Sequence, residues 1–176
     1  MTAVAPTFTQ FISKGPGLAT PTGVYKLPTY VHPGQIVVTN ESGMLTTILG
    51  SCVAVCLHDP RLRMGGLNHY LLPNSCSPDE ATGRYAPSAI AQLVDGMLSI
   101  GASPSRMIAH VVGGAAVLAA FNSSAAQLGV RNAEVAREML RQYKIPVVST
   151  DTGGNHGRKL LFSPRDGSIS VQFIGK

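Results

Sequence analysis

The chain has 176 residues, of which 44% are apolar, and this is enough to fill the core of one ordinary domain. A net charge of +5 would suit a nucleic-acid binder, but the 14 Lys and Arg residues are scattered and are not interleaved with aromatic residues, which argues against that class. The three cysteines are too few to staple a secreted domain, and no signal peptide or bilayer-spanning apolar run is visible, so we expect a cytoplasmic protein with free thiols and no direct membrane insertion.

The first 30 residues are rich in Thr, Pro and Gly and show no sustained hydrophobic period. We therefore expect a mobile N-terminal leader over residues 1–30 and a single domain over residues 31–176. Two β-branched runs follow at residues 35–39 and 44–49, and the four residues between them favour a turn, so the simplest prediction is a hairpin. Further strands are predicted at residues 53–58 and 64–72.

Two amphipathic helices are predicted in the second half of the chain. The first opens at Pro87 and ends near Gly101, with its apolar residues on one face. The second is capped by Asn132 and presents apolar residues such as Val135 and Met139 to one side. The remaining strands are predicted at residues 107–112, 147–150, 159–163 and 168–174, the last two joined by a tight turn.

This order of strands and helices is not a repeated βαβ, which favours an α+β fold with a mixed, largely antiparallel sheet. A helix with one apolar face needs a sheet to cover it. We therefore predict a single-domain, three-layer α/β sandwich in which the helices lie on one side of the sheet core.

Cys52 stands directly after Gly50 and Ser51, at the point where a predicted strand ends. Glycine permits backbone conformations that other residues avoid, so the N–H groups of the Gly50-Ser51 turn are able to point together at the thiol. There they would lower the pKa of the thiol and hold an oxyanion. From the residues alone, a small buried cysteine in a turn is the commoner alternative.

His69 lies in an apolar run, at a place where a strand usually carries an aliphatic side chain. For a lone histidine, a satisfied core position is the commoner interpretation. Two neighbouring strands would, however, bring His69 beside Cys52 and supply the nucleophile and base that thiol catalysis requires.

A series of short motifs extends over about residues 35–175. They are Leu49-Gly50-Ser51-Cys52-Val53-Ala54-Val55, Asp59, Gly65-Gly66, His69, Leu72-Pro73, Gly113-Gly114-Ala115, residues 129–132, Gly153-Gly154, Gly157-Arg158 and the turn at Gly167. In identity and order these motifs resemble the signature of CheD-type chemoreceptor glutamine deamidases. The segment before about Tyr30 lies outside the resemblance.

The resemblance implies that Cys52 is the nucleophile, that His69 is the base and acid, and that Thr46 is a third residue that orients the imidazole. Thr47 adjoins Thr46, and an ordinary strand threonine is an equal alternative for Thr46. The implied enzyme is a protein-glutamine glutaminase. It would convert specific glutamines of methyl-accepting chemotaxis receptors to glutamate through a thioester, release ammonia, and need no metal or organic cofactor.

The residue types fit this chemistry independently, because a primary amide is a poor electrophile whose nitrogen cannot leave unprotonated. A thiolate and an acid are both needed. We expect the backbone at Gly50 and Ser51 to shape the site or bind the oxyanion. His156 and Arg158 are expected to line the receptor-binding mouth, with a solvated loop as the alternative.

The resemblance also implies partners, namely the cytoplasmic helical region of the receptors and a CheC-type phosphatase. A non-catalytic or dual-role binding module in chemotaxis is therefore the alternative function, but the presence of both Cys52 and His69 favours an enzyme. A cysteine protease would need an orienting Asn or Asp, for which the sequence makes no case.

A zinc site is a further alternative, because thiols and imidazoles are the usual zinc ligands. The candidate ligands are Cys52, Cys56, His58, His69 and Cys76. No Cys-x-x-Cys pair is present, and Cys52 and Cys56 would lie about 13 Å apart along a strand, too far to share one ion. We expect Cys56 in the core and Cys76 in the loop at residues 73–78.

Overall fold

A computed structural model of the chain describes residues 27–74, 82–117 and 123–174, and it contains nine strands and two helices within those ranges. The elements in chain order are β1 (Thr29–Tyr30), β2 (Ile36–Thr39), β3 (Leu45–Leu49), β4 (Val53–Asp59), β5 (Met64–Asn68), α1 (Ala86–Ser99), β6 (Ile108–Gly113), α2 (Ser123–Gln142), β7 (Val147–Thr152), β8 (Gly157–Phe162) and β9 (Ile169–Ile174).

The strands form two sheets. One has five strands in the order β2-β5-β4-β6-β7, and the other has four in the order β1-β3-β8-β9. All neighbours are antiparallel except β6 with β7 and β1 with β3. Both helices pack on the five-stranded sheet, which therefore lies between helices and the second sheet. The predicted α+β three-layer sandwich, with its helices on one side, is confirmed.

Strand β4 lies at the centre of the five-stranded sheet and is buried on both faces, as expected for a strand between two layers. Because side chains alternate along a strand, Val53, Val55 and Leu57 point to the helices. Ala54 and Cys56 point to the four-stranded sheet. We call the first space the helix–sheet layer and the second the inter-sheet layer.

The helix–sheet layer is the larger of the two apolar cores. Helix α1 begins with Pro87 near its first position, where a missing N–H costs nothing, and it buries one face that includes Ile90, Leu93 and Met97. Helix α2 adds Ala136 and Leu140. The predicted first helix is confirmed, and so is its buried face, except that Leu98, which the sequence assigned to that face, is exposed.

Two local predictions are wrong. Residues 35–39 and 44–49 do not form a hairpin, because β2 pairs with β5 in one sheet whereas β3 pairs with β8 in the other. The intervening turn therefore carries the chain from one sheet to the next. Asn132 does not cap the second helix, since α2 begins at Ser123 and Asn132 lies in its interior.

The closing hairpin of β8 and β9 is confirmed, with Leu160 opposite Val171 in an antiparallel register. Strand β1 pairs with β3 two residues ahead of the expected domain start at residue 31. Residues 1–26 of the predicted leader, and Cys76, lie outside the described residues. In the described ranges, neither helix is long and apolar enough to cross a membrane.

Candidate active site

Cys52 lies between β3 and β4, on a turn that the segment after β6 holds in place. The N–H of Gly114 donates to the Cys52 carbonyl at 2.8 Å, and the N–H of Ala115 donates to the Gly50 carbonyl at 2.7 Å. Gly113 has φ of 119°, and a Cβ there would lie 2.2 Å from the Cys52 carbonyl oxygen, so only glycine fits at that position. The nucleophile candidate is therefore mounted on a backbone that neighbouring segments fix.

His69 follows β5, where the chain still pairs with the start of β4. Val53 and Tyr70 exchange two backbone hydrogen bonds, of 3.2 and 3.0 Å, and both side chains point into the helix–sheet layer. Their chain neighbours Cys52 and His69 consequently point the other way. The pairing makes these two residues diagonal neighbours on one face of an antiparallel pair, a relation within reach of long side chains.

Both side chains lie in the inter-sheet layer. Cys52 is partly buried and packs against the apolar residues there, and His69 is 2% exposed. The imidazole reaches across to β3, where its Nδ1 lies 2.8 Å from the hydroxyl oxygen of Thr47. The fold thus places a thiol, an imidazole and a hydroxyl from three consecutive strand regions in the inter-sheet layer.

The protonation of the imidazole follows from the hydrogen bonds of Thr47. Its hydroxyl also lies 2.8 Å from the Val31 carbonyl, which can only accept, so the single hydroxyl proton is donated there. The hydroxyl oxygen must then accept from Nδ1–H of His69. The lone pair is left on Nε2, which is buried and has no hydrogen-bond partner among the described residues. His69 is therefore held as the Nδ1–H tautomer, with Nε2 able to accept a proton.

Thr46 does not make the contact that the sequence assigned to it. Its hydroxyl donates to the Leu160 carbonyl at 2.8 Å, on the other face of β3 from Thr47. The contact with His69 belongs to Thr47 instead. The sequence carries a signal for this, since Leu45, Thr47 and Leu49 recur with period two, which puts Thr47 on the apolar face of the strand.

Burial disfavours the charged form of each catalytic candidate. It raises the pKa of the Cys52 thiol, and the residue's own N–H acts weakly in the opposite direction. Burial also lowers the pKa of His69 to about 4, despite an opposing effect of the Val31 carbonyl. The expectation that the turn lowers the thiol pKa is therefore wrong as a net effect. Near neutral pH the pair rests as a neutral thiol and a neutral imidazole.

Arg158 is buried rather than exposed at a mouth. Its side chain is 4% exposed, and its Nε donates to Asp151 Oδ1 at 2.9 Å across the inter-sheet layer. Its Nη1 donates to the His156 carbonyl at 3.0 Å, and its guanidinium lies 5.3 Å from the centre of the Phe173 ring. Arg158 links the two sheets, while the half-buried His156 and the exposed Phe173 lie at the surface beside it.

The second described thiol, Cys56, differs from Cys52 in its surroundings. It is fully buried in the inter-sheet layer, and that burial strongly raises its pKa. Both cysteines are free. Across residues 27–74, 82–117 and 123–174, no group of three or more His, Cys, Asp or Glu side chains is placed to hold a metal ion.

Comparison with known proteins identifies relatives over most of the chain. Residues 71–173 match a family model described as CheD chemotactic sensory transduction. A protein of Anaeromyxobacter dehalogenans named chemoreceptor glutamine deamidase CheD 1 is 43% identical over 153 residues, which are 87% of this chain and 88% of that protein. Proteins of Xanthomonas campestris and Stenotrophomonas maltophilia with the CheD name are 45% and 44% identical, over 80% of this chain and 70% of theirs.

Among solved structures, the chain is similar to the hypothetical protein YfiH of Bacillus licheniformis, with a TM-score of 0.43 and 16% identity. The similarity covers 68% of this chain and 49% of that one. A likeness of that size carries no argument about fold or function.

Proposed function

Because the chain belongs to the CheD family, we propose that it is a protein-glutamine glutaminase that deamidates glutamine side chains of methyl-accepting chemotaxis receptors. Relatives 43% to 45% identical over most of the chain carry the name chemoreceptor glutamine deamidase. The geometry contributes an independent argument, since a glutamine deamidase needs a nucleophile and a proton carrier side by side.

The observation that carries the proposal is the state of His69. Thr47 fixes its Nδ1–H, and the Nε2 lone pair is left free on the face of the sheet that also bears Cys52. A base with a depressed pKa stays neutral and able to accept a proton over the whole physiological pH range. What distinguishes His69 is its place beside the start of β4, where its free nitrogen shares a sheet face with Cys52.

In the first half-reaction, the Cys52 sulfur attacks the carbon of the glutamine carboxamide as the thiol proton moves to His69 Nε2. The carbonyl π electrons move to oxygen, and we assign the stabilisation of that oxyanion to the backbone N–H of Cys52. The oxyanion then collapses, the C–N bond breaks, and Nε2–H gives its proton to the departing nitrogen. Ammonia leaves, and a glutamyl thioester and a neutral imidazole remain.

In the second half-reaction, His69 Nε2 takes a proton from water while the water oxygen attacks the thioester carbon. The new tetrahedral intermediate collapses and expels the Cys52 sulfur, which recovers its proton from the imidazolium. Glutamate and free enzyme result. Because the two resting groups are neutral, the ion pair forms only as the reaction proceeds, and the substrate and the oxyanion donors must compensate its cost.

The partners follow from this function. We propose that the receptors bind through their cytoplasmic helical region, that the reaction takes place in the cytoplasm, and that a CheC-type phosphatase is a second partner. Free thiols persist in that compartment, and both described cysteines are free. His156 is the residue of the predicted mouth that remains available to contact a receptor, since Arg158 is engaged by Asp151.

The proposal is tested by incubating the purified full chain with cytoplasmic receptor fragments and measuring receptor mass and ammonia. Each modified glutamine is expected to gain about 1 Da and to release one ammonia. Cys52→Ala should reduce both at least about a thousandfold. Cys56→Ala, which removes a buried thiol from the same region, is the matched control and should keep the activity of its folded fraction.

Two outcomes would decide against the proposal. Undiminished deamidation by Cys52→Ala would remove the proposed nucleophile. Wild-type protein that binds the receptor fragment tightly but changes neither its mass nor the ammonia concentration would support the binding-module alternative.

A further inference from the structure

We propose that Asn132 is a positioning residue, which fixes the peptide group before Cys52 and thereby aims the backbone N–H of Cys52 at the thiol and at the developing oxyanion. The catalytic part of this inference rests on the proposed deamidase function. The part that concerns the thiol does not, since it describes Cys52 in the absence of substrate.

Asn132 joins the two segments that carry the catalytic candidates. It lies in the interior of α2, is 0% exposed, and its side-chain nitrogen donates to the carbonyls of Ser51 and Leu71, each at 2.9 Å. Ser51 directly precedes Cys52, and Leu71 lies opposite Cys52 in the strand pair that also places His69. The Tyr70 hydroxyl donates to the backbone carbonyl of Asn132 at 2.7 Å, which anchors the helix to the same strand.

The bond to the Ser51 carbonyl has a directional consequence. In a planar trans peptide the C=O and the following N–H point in opposite directions. Because Asn132 draws the Ser51 carbonyl toward α2, the N–H of Cys52 must point away from α2, toward the inter-sheet layer. This is the side on which the Cys52 sulfur packs and on which that N–H lowers the thiol pKa.

Packing and helix formation do not account for an asparagine at this position. Asn132 is surrounded by the helix–sheet layer, where its helix neighbours Ala133 and Ala136 are buried and apolar. Asparagine is a weaker helix former than alanine or leucine, and burial of a polar group costs free energy unless it is fully hydrogen-bonded. The Asn132 Oδ1 is buried and has no partner within the described residues. The hydrogen bonds that Asn132 donates to the Ser51 and Leu71 carbonyls are therefore its contribution to the structure.

The test compares the full-length wild type with Asn132→Leu, which keeps a similar volume and removes both donors. The readout is the rate of alkylation of Cys52 by iodoacetamide as a function of pH, followed by mass spectrometry of the Cys52 peptide. If the N–H of Cys52 no longer points at the sulfur, the pKa of the thiol rises. The pH midpoint of alkylation should then move up by about half a pH unit or more. With a receptor fragment, kcat should fall about ten- to a hundredfold, with KM within about twofold of wild type.

Two further variants keep the test decisive. Asn132→Ser retains one hydroxyl donor, so it should shift the pH midpoint of Cys52 alkylation less than Asn132→Leu does. It supplies a second measurement if Asn132→Leu folds poorly. Leu140→Ala removes a buried side chain from the same helix away from the site and should leave the alkylation profile unchanged. An alkylation profile of the folded Asn132 variants that coincides with wild type would overturn the inference. A wild type that alkylates as expected but deamidates nothing would instead count against the proposed function alone.

Discussion

The two apolar layers that flank the five-stranded sheet are built from different kinds of side chain. The helix–sheet layer holds the larger cluster of buried apolar residues, from α1, α2 and the facing strands, and the buried Asn132 lies among them. The inter-sheet layer is smaller and contains buried polar groups as well, including Thr47, His58, His69, His110 and Arg158. Because apolar burial supplies most of the folding free energy, the first layer stabilises the fold, and the second is able to hold groups whose protonation matters.

The difference between the two layers predicts whether a substitution should change catalysis or stability. A change in the inter-sheet layer near β3 and β4 should alter catalysis more than stability. A change in the helix–sheet layer should do the reverse, except at Asn132, which reaches from that layer to the backbone of the site.

The largest expected effect is on catalysis and follows from removing the proposed base. His69→Gln should lower kcat about a hundred- to ten-thousandfold, because it removes the group that is proposed to accept the Cys52 proton. His110→Gln is the matched control, since His110 is a buried histidine of the same layer that contacts Ser149 rather than the site. Steady-state deamidation of a receptor fragment measures kcat for both variants. Equal losses of kcat would contradict the distinction between the two histidines.

The next effect is on stability and concerns the other layer. Leu93→Ala, which empties a fully buried position of α1, should lower the free energy of unfolding by about 2–5 kcal/mol. Activity per folded molecule should stay within about twofold of wild type. Urea unfolding followed by fluorescence or circular dichroism gives the first quantity, and active-site titration of Cys52 normalises the second. A selective loss of kcat would contradict the separation of roles.

The free energy of unfolding should also depend on pH, because His69 is buried in the inter-sheet layer. The pKa of His69 is about 4 in the folded chain and about 6.5 when unfolded. Between those values the unfolded chain binds a proton that the folded chain does not, so stability falls as the pH falls through this window, by about 3 kcal/mol in total. Urea unfolding at several pH values should show this slope in wild type and a flatter one in His69→Gln. Parallel curves for the two proteins would contradict the assignment.

The smallest expected effect separates two adjacent threonines. Thr47→Val removes the hydroxyl that accepts from His69 Nδ1 and should lower kcat about tenfold, the equivalent of one modest hydrogen bond. Thr46→Val removes a hydroxyl that contacts the Leu160 carbonyl and should change kcat less than about twofold. A larger loss in Thr46→Val than in Thr47→Val would return the orienting role to Thr46.

Local pattern was enough for several elements of this fold. Helix α1 and the turn between β8 and β9 follow from patterns of neighbouring residues, and both are confirmed, although Leu98 is not on the buried face of α1. Cys52 and His69 also stand out locally, one after a Gly-Ser turn and the other as a polar interruption of an apolar run. The structure adds the relation between them, which depends on the Val53–Tyr70 pairing.

Features that depend on contacts between distant segments were not predicted from the sequence. The runs that form β2 and β3 have the composition of a hairpin, but their partners β5 and β8 lie far along the chain. Asn132 resembles a helix cap in sequence, and only its burial against the turn before Cys52 shows another use. Arg158 follows a glycine-rich loop, as a surface residue often does. In the structure, however, its side chain is buried and forms an ion pair with Asp151.

Hydroxylamine gives the sharpest test of whether the receptor glutamine passes through a thioester on Cys52. As a stronger nucleophile than water, hydroxylamine should intercept the thioester and leave the receptor glutamine as a hydroxamate, detectable by peptide mass spectrometry. Wild type should form hydroxamate and glutamate at the same glutamines, in a ratio that rises with hydroxylamine concentration, and Cys52→Ala should form neither product. Normal glutamate formation with no hydroxamate at any concentration, or hydroxamate formed by Cys52→Ala at the wild-type rate, would contradict a thioester on Cys52.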